Sequence, residues 1–135
     1  MWIPKGRDAM LKMIALLKKR PGMSREEFRN YYETRHAPLI LAQQGPNMLE
    51  YRRNYLTDDD MIAGFDRGDI DVITEFVYPD RAAFERAFAR MYSPEATRVR
   101  SEDEEKLFDI DAIRVFMVET RESDCANPGS VDETD

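Results

Sequence analysis

Apolar positions change their period several times between residues 11 and 120, and each change predicts an element. LKMIALLKK, from Leu11 to Lys19, is too short for an independent helix and is stopped by Arg20-Pro21-Gly22, which predicts a strand. In MSREEF, Ser24 precedes Glu27 by three residues. This is the spacing of a capping box, so a helix is expected to begin at Ser24. At about 100° per residue, Phe28, Tyr32, Arg35, Leu39 and Ala42 share one arc of that helix, with Glu26, Asn30 and Glu33 on the other side. Pro38 lacks an N–H and would clash with the carbonyl of Thr34, so the helix is expected to kink or restart near Arg35 to Ala37.

A turn at Gln43 to Asn47 leads into LEYRRNYLT, a strand by partial alternation from about Leu49 to Thr57. DDDMIAGFDRGD is a polar connection. IDVITEFVY, from Ile70 to Tyr78, is dense in β-branched and aromatic residues and predicts a strand. Asp80 caps a second helix whose apolar stripe is Ala83, Phe84, Ala87, Phe88 and Met91. EATRVRSEDEEKLF suggests a further, more exposed helical stretch. AIRVFMVET alternates as a strand from Ala112 to Thr120, and the polar tail 121–135 has the composition of a disordered segment.

The order is βαββαβ, an α+β ferredoxin-like unit with a four-stranded antiparallel sheet and its helices on one face. The domain is expected to span 11–120. Its first and third strands are apolar on both alternating sets: Met13, Ala15 and Leu17 against Ile14 and Leu16, and Val72 and Phe76 against Ile73 and Val77. A sheet apolar on both faces needs a second cover, and the chain has no spare helices for it. A homodimer packed sheet on sheet, a dimeric α+β barrel, meets that need.

The chain has 135 residues, of which 42% are hydrophobic, enough for one domain with a core. Charge divides it. Residues 1–56 carry 11 basic and 5 acidic side chains and residues 57–135 carry 9 and 22, for a net charge of −7. A net acidic chain repels polyphosphate, so no nucleic-acid partner is expected. No apolar run approaches the roughly 18 to 20 residues of a membrane span, and the N-terminus lacks an apolar signal core; no membrane partner is expected, and the cytoplasm is the expected location. Cys125 is the one cysteine, in the polar tail, without a disulfide partner.

The chain has a single histidine, His36, at the Pro38 break. One reading is structural: an imidazole at a helix end bonding a free carbonyl. The other is a general base at the edge of an apolar cavity, for which the wheel places His36 at the margin of the core arc, where it would contribute little to packing. Tyr32, one turn earlier, could donate its phenol to a developing enolate. Arg52, Tyr51, Tyr55, Glu75 and Arg114 lie on strands whose inward set is open, and Arg35 could orient an anion or reach solvent. With no second histidine and no clustered cysteines, a His/Cys metal site is not expected. There is no glycine-rich phosphate loop, no calcium-loop spacing and no G-x-S-x-G elbow. For an enzyme, proton transfer without a cofactor is the chemistry left.

KKRPGMSREEFRNYYETRHAPLI, from Lys18 to Ile40, resembles the signature of the EthD-domain proteins of the dimeric α+β barrel superfamily: a strand ending in a basic Pro-Gly turn, a capped helix with paired aromatics, and His-Ala-Pro. The resemblance implies a ferredoxin-like fold and a homodimer, and in the enzyme-like members the histidine of His-Ala-Pro is the pocket residue, which corresponds to His36. The superfamily includes cofactor-independent cyclases, tautomerases, dehydratases and decarboxylases, lactone isomerases and small monooxygenases. The expectation is therefore a small lyase or isomerase without a cofactor. His36 takes a proton from a carbon next to a carbonyl of an aromatic or polyketide-like molecule, Tyr32 steadies the enolate, and Phe28, Leu39, Phe84 and Phe88 form the apolar pocket. Two rivals stand beside it: a cofactor-free monooxygenase, which would require dioxygen, and a non-catalytic dimeric protein that holds haem or an aromatic metabolite. The acidic insertion 58–71 departs from shorter relatives and could lid the pocket.

Overall fold

The computed structural model describes residues 10–57, 68–127 and 129. Its elements are β1 (Leu11–Leu17), α1 (Arg25–Tyr31), a wide π turn (Tyr32–His36), α2 (Ala37–Gln44), β2 (Glu50–Tyr55), β3 (Val72–Tyr78), α3 (Arg81–Met91), α4 (Pro94–Glu105) and β4 (Arg114–Val118). The four strands line up in the order β2-β3-β1-β4, with every pairing antiparallel. This is the expected α+β, ferredoxin-like arrangement, with α1 and α2 sharing the place of one helix and α4 added after α3.

The register decides which strand residues face the helices. Met13, Ala15 and Leu17 on β1 stand level with Phe76, Thr74 and Val72 on β3, and all six are buried under the helices. On the same side, Tyr51, Arg53 and Tyr55 of β2 pair with Phe76, Thr74 and Val72. The opposite set, Ile14, Leu16, Ile73, Arg52, Glu75 and Arg114, faces away from the helices. Lys12 and Glu75 form an ion pair there at 2.6 Å. Arg52, Glu75 and Arg114 are thereby placed on the open side.

The capping box at Ser24 is formed in both directions: Glu27 N–H donates to Ser24 Oγ at 3.1 Å and Ser24 N–H to Glu27 Oε1 at 3.0 Å. Beyond Tyr31 the helix departs from the even wheel. Ala37 N–H bonds the carbonyl of Tyr32, five residues back, so one extra residue is held in the turn. The wider turn relieves the clash that the Pro38 ring would make with the Thr34 carbonyl in a regular helix, so the break takes the form of a bulge. Every later position is advanced by one residue. The buried side becomes Phe28, Tyr32, His36, Ile40 and Gln43 in place of Arg35, Leu39 and Ala42.

The connection expected as a lid falls mostly in 58–67, outside the described residues. Its end is anchored: Asp71 Oδ2 accepts from Lys19 N–H at 2.8 Å, and Asp71 N–H donates to the Leu17 carbonyl. The tail is described to residue 127 and at 129, and residues 121–127 are exposed.

Candidate functional site

Asp103 is the hub of the site. Its Oδ2 lies 2.8 Å from His36 Nδ1, and its Oδ1 accepts a hydrogen bond from Tyr31 Oη at 2.6 Å. Burial and the hydrogen bond to Asp103 push the Tyr31 phenol up to about 12, so it stays protonated and donates. A carboxylate offers no proton to the imidazole, so in the neutral ring Nδ1 carries the hydrogen and Nε2 keeps its lone pair. Nε2 has no hydrogen-bond partner among the described residues. Burial lowers the His36 pKa below its ordinary value, Asp103 pulls it back up, and Arg100 lowers it further; burial dominates. The ring is edge-on to Tyr32 on one side, centroids 5.1 Å apart, and to Phe108 on another at 5.2 Å.

His36 lines a cavity of about 430 Å³ between the helices and the β1–β4 side of the sheet. Its walls are largely apolar, with Ile40, Phe76, Phe84, Phe88 and Phe108 prominent. The mouth lies where α1 and α2 leave β4 uncovered, so Val115 and Met117, though on the helix side of the sheet, stay about half exposed. Arg100 and Glu104 are polar wall residues from α4. Burial holds the Glu104 carboxyl above its ordinary value, more strongly than Arg100 lowers it.

The site residues expected from sequence divide. His36, Phe84 and Phe88 all line the cavity. Tyr32 contributes its ring to the wall, but its hydroxyl is hydrogen-bonded to Thr74 Oγ1 on β3 at 2.8 Å, so the enolate-donor position expected of it is corrected to a core contact. Phe28 sits in the core at 2% exposure and does not reach the cavity; its place in the arc is one turn too early. Leu39 is also displaced from the wall, because the extra residue of the π turn brings Ile40 round instead. The same shift carries His36 from the margin into the interior, at 3% exposure, so it does contribute to packing.

Sequence reading missed Asp103, Arg100 and Glu104, because their segment is so charged that it reads as a solvated helix. One signal was present: Arg100, Asp103 or Glu104, and Leu107 recur at helical spacing, and Arg100 and Leu107 are buried. Among the described residues no group of three or more His, Cys, Asp and Glu is arranged to hold a metal ion, and no helix is long and apolar enough to cross a membrane.

The sequence pattern of the EthD domain matches residues 20–111. No curated protein matches the chain. Among solved structures, an EthD-like protein from Ralstonia eutropha superposes with a TM-score of 0.61 at 19% identity, over 89% of this chain and 99% of its own. The hydroxynitrile lyase of Passiflora edulis gives 0.57 at 18% identity, over 87% and 98%. SnoaB, a cofactor-independent oxygenase from Streptomyces nogalater, gives 0.55 at 15% identity, over 85% and 96%. At these identities the likeness is one of fold.

Proposed function

The chain belongs to the EthD-domain family, and from that premise we propose that it is a small cofactor-free enzyme of lyase or isomerase type that removes a proton from carbon next to a carbonyl. The observation that carries this reading is the His36–Asp103 pair at the wall of an apolar cavity. Asp103 holds the imidazole in the tautomer whose Nε2 can accept a proton and stabilises the imidazolium formed when it does. The lowered pKa keeps the ring neutral, and so basic, at neutral pH. Apolar walls favour an aromatic or polycyclic substrate of modest size and exclude water from the carbanion. Two structures of similar fold support the reading: a cofactor-independent oxygenase for chemistry without a cofactor, and a hydroxynitrile lyase for the lyase type.

The test does not require the natural substrate. Aromatic ketones and β-dicarbonyls incubated with the protein in heavy water under nitrogen should exchange the acidic C–H for deuterium faster than in buffer. His36→Gln should abolish the acceleration. No acceleration across the panel, or acceleration unchanged in His36→Gln, would overturn the reading. Excluding dioxygen separates deprotonation from any later oxidation.

We also propose that two copies pair through the open sheet face. Ile14, Leu16 and Ile73 line its centre and are already half-buried, and Phe116 beside Ile14 is 44% exposed. Sheet-on-sheet packing would remove this apolar strip from water on both copies at once.

A further inference from the structure

Arg100 is 7% exposed, yet it forms no ion pair with any described residue. Its Nη1 donates to the Met91 carbonyl at 2.6 Å and to Gln43 Oε1 at 3.0 Å, both neutral acceptors. Gln43 is itself held by a bond from its Nε2 to the Ala96 carbonyl at 2.8 Å, so the guanidinium is fixed in place. The Tyr92 ring lies over it, with the guanidinium carbon 5.2 Å from the centroid. Asp103, one turn along α4, is engaged by His36 and Tyr31. The Glu104 carboxyl, also one turn along, makes no hydrogen bond or ion pair among the described residues. The Nε and Nη2 donors of Arg100 are without a partner there too, and Arg100 lines the same cavity as His36.

A buried cation that no carboxylate bonds directly is costly to keep: Glu104 on the same wall is felt by Arg100 only electrostatically, and a bonded partner is expected to come from whatever fills the cavity. The Nε–Nη2 edge presents two parallel N–H groups, the fork that matches the two oxygens of a carboxylate. The remaining walls are mostly aromatic and aliphatic, with no second cation to balance a phosphate dianion. Resting on the reading of this cavity as the substrate site, we infer that the substrate is an aromatic or polycyclic carboxylate, anchored through its carboxylate by Arg100 with the reacting carbon presented to His36. Arg100 is then a specificity-determining residue.

The experiment compares naphthalene-2-carboxylate with naphthalene-2-carboxamide by calorimetric titration of the full chain at pH 8, where His36 is neutral and adds no positive charge. The carboxylate should bind at least about ten-fold more tightly than the amide, the size expected of a charge-assisted pair. Arg100→Gln should lose this preference while still binding the amide, and Arg100→Lys should recover part of it. The comparison on the unaltered protein stands even if Arg100→Gln folds poorly through loss of its bonds to Met91 and Gln43. Equal binding of the two ligands, or a preference that survives in Arg100→Gln, would overturn the anchor and leave the cavity reading intact. Failure of both ligands to bind would overturn the cavity reading and the anchor with it.

Discussion

His36 Nδ1 and Asp103 Oδ2 are 2.8 Å apart although 67 residues separate them in the chain. The contact joins the π turn after α1 to α4, and it turns a lone histidine into an oriented base. Asp103→Asn should keep the fold and remove the orientation, since an amide can face the ring with either its oxygen or its NH₂. Deuterium exchange into ketones should fall by about 10² or more. Ring ¹⁵N shifts check the cause: with one histidine in the chain, the signals should report a single Nδ1–H tautomer in the parent at pH 8 and a mixture in the variant.

The lowered pKa of His36 gives a signed pH dependence. Burial disfavours the imidazolium, so the unfolded chain, with a value near 6.5, takes up its proton first as pH falls. The contribution of His36 to stability is therefore full above pH 6.5, is lost as pH falls from there to the folded value, and is flat below it. Glu104 works in the opposite sense: its pKa is raised in the fold, so stability is gained as pH falls through the folded value towards 4.5. Melting curves across pH 4–8 should show the His36 loss in the parent and its absence in His36→Gln, while Glu104→Gln should remove the opposing gain.

Tyr32 and Thr74 share a buried hydrogen bond, and both are at most 1% exposed. Thr74→Val leaves the phenol without its partner, and Tyr32→Phe does the same to the threonine. Each should cost about 1–3 kcal/mol in denaturant unfolding. Because the hydroxyl is engaged away from the reacting ligand, Tyr32→Phe should leave proton exchange within about three-fold of the parent; a loss comparable to that of His36→Gln would return Tyr32 to the catalytic role expected of it from sequence.

Ile14 stands level with Glu75 on one neighbouring strand and Phe116 on the other, at the centre of the open face. Ile14→Glu would bury a carboxylate beside Glu75 in the proposed dimer and leave both solvated in a monomer. Light scattering after gel filtration should show a dimer for the parent and a monomer for the variant. A parent that elutes as a monomer at micromolar concentration would sink the proposed pairing.

The order of elements along the chain was legible because a strand such as Val72–Tyr78 before Pro79 is a β-branched and aromatic run ended by a break, while β1 was read from its short length and its Pro-Gly stop. The α1 start was equally legible, since Ser24 and Glu27 make their reciprocal bonds within one turn. Local hydrogen bonding and local entropy decide such features, and the sequence by itself determined them, together with the placing of the single histidine at a helix break. The tertiary structure decided the rest. The sequence left open whether the helix would kink at Pro38 or admit an extra residue, and that one residue replaced Leu39 with Ile40 and took His36 inside. The partner of His36 lies on a helix whose charged sequence looks solvated, and only the docking of α4 against α1 and α2 brings Asp103 to His36 and Arg100 to the cavity. Periodicity along one element reports which side is apolar. It carries no information on which charged residue of a distant element will meet that side, because this is fixed by the three-dimensional closure of the fold.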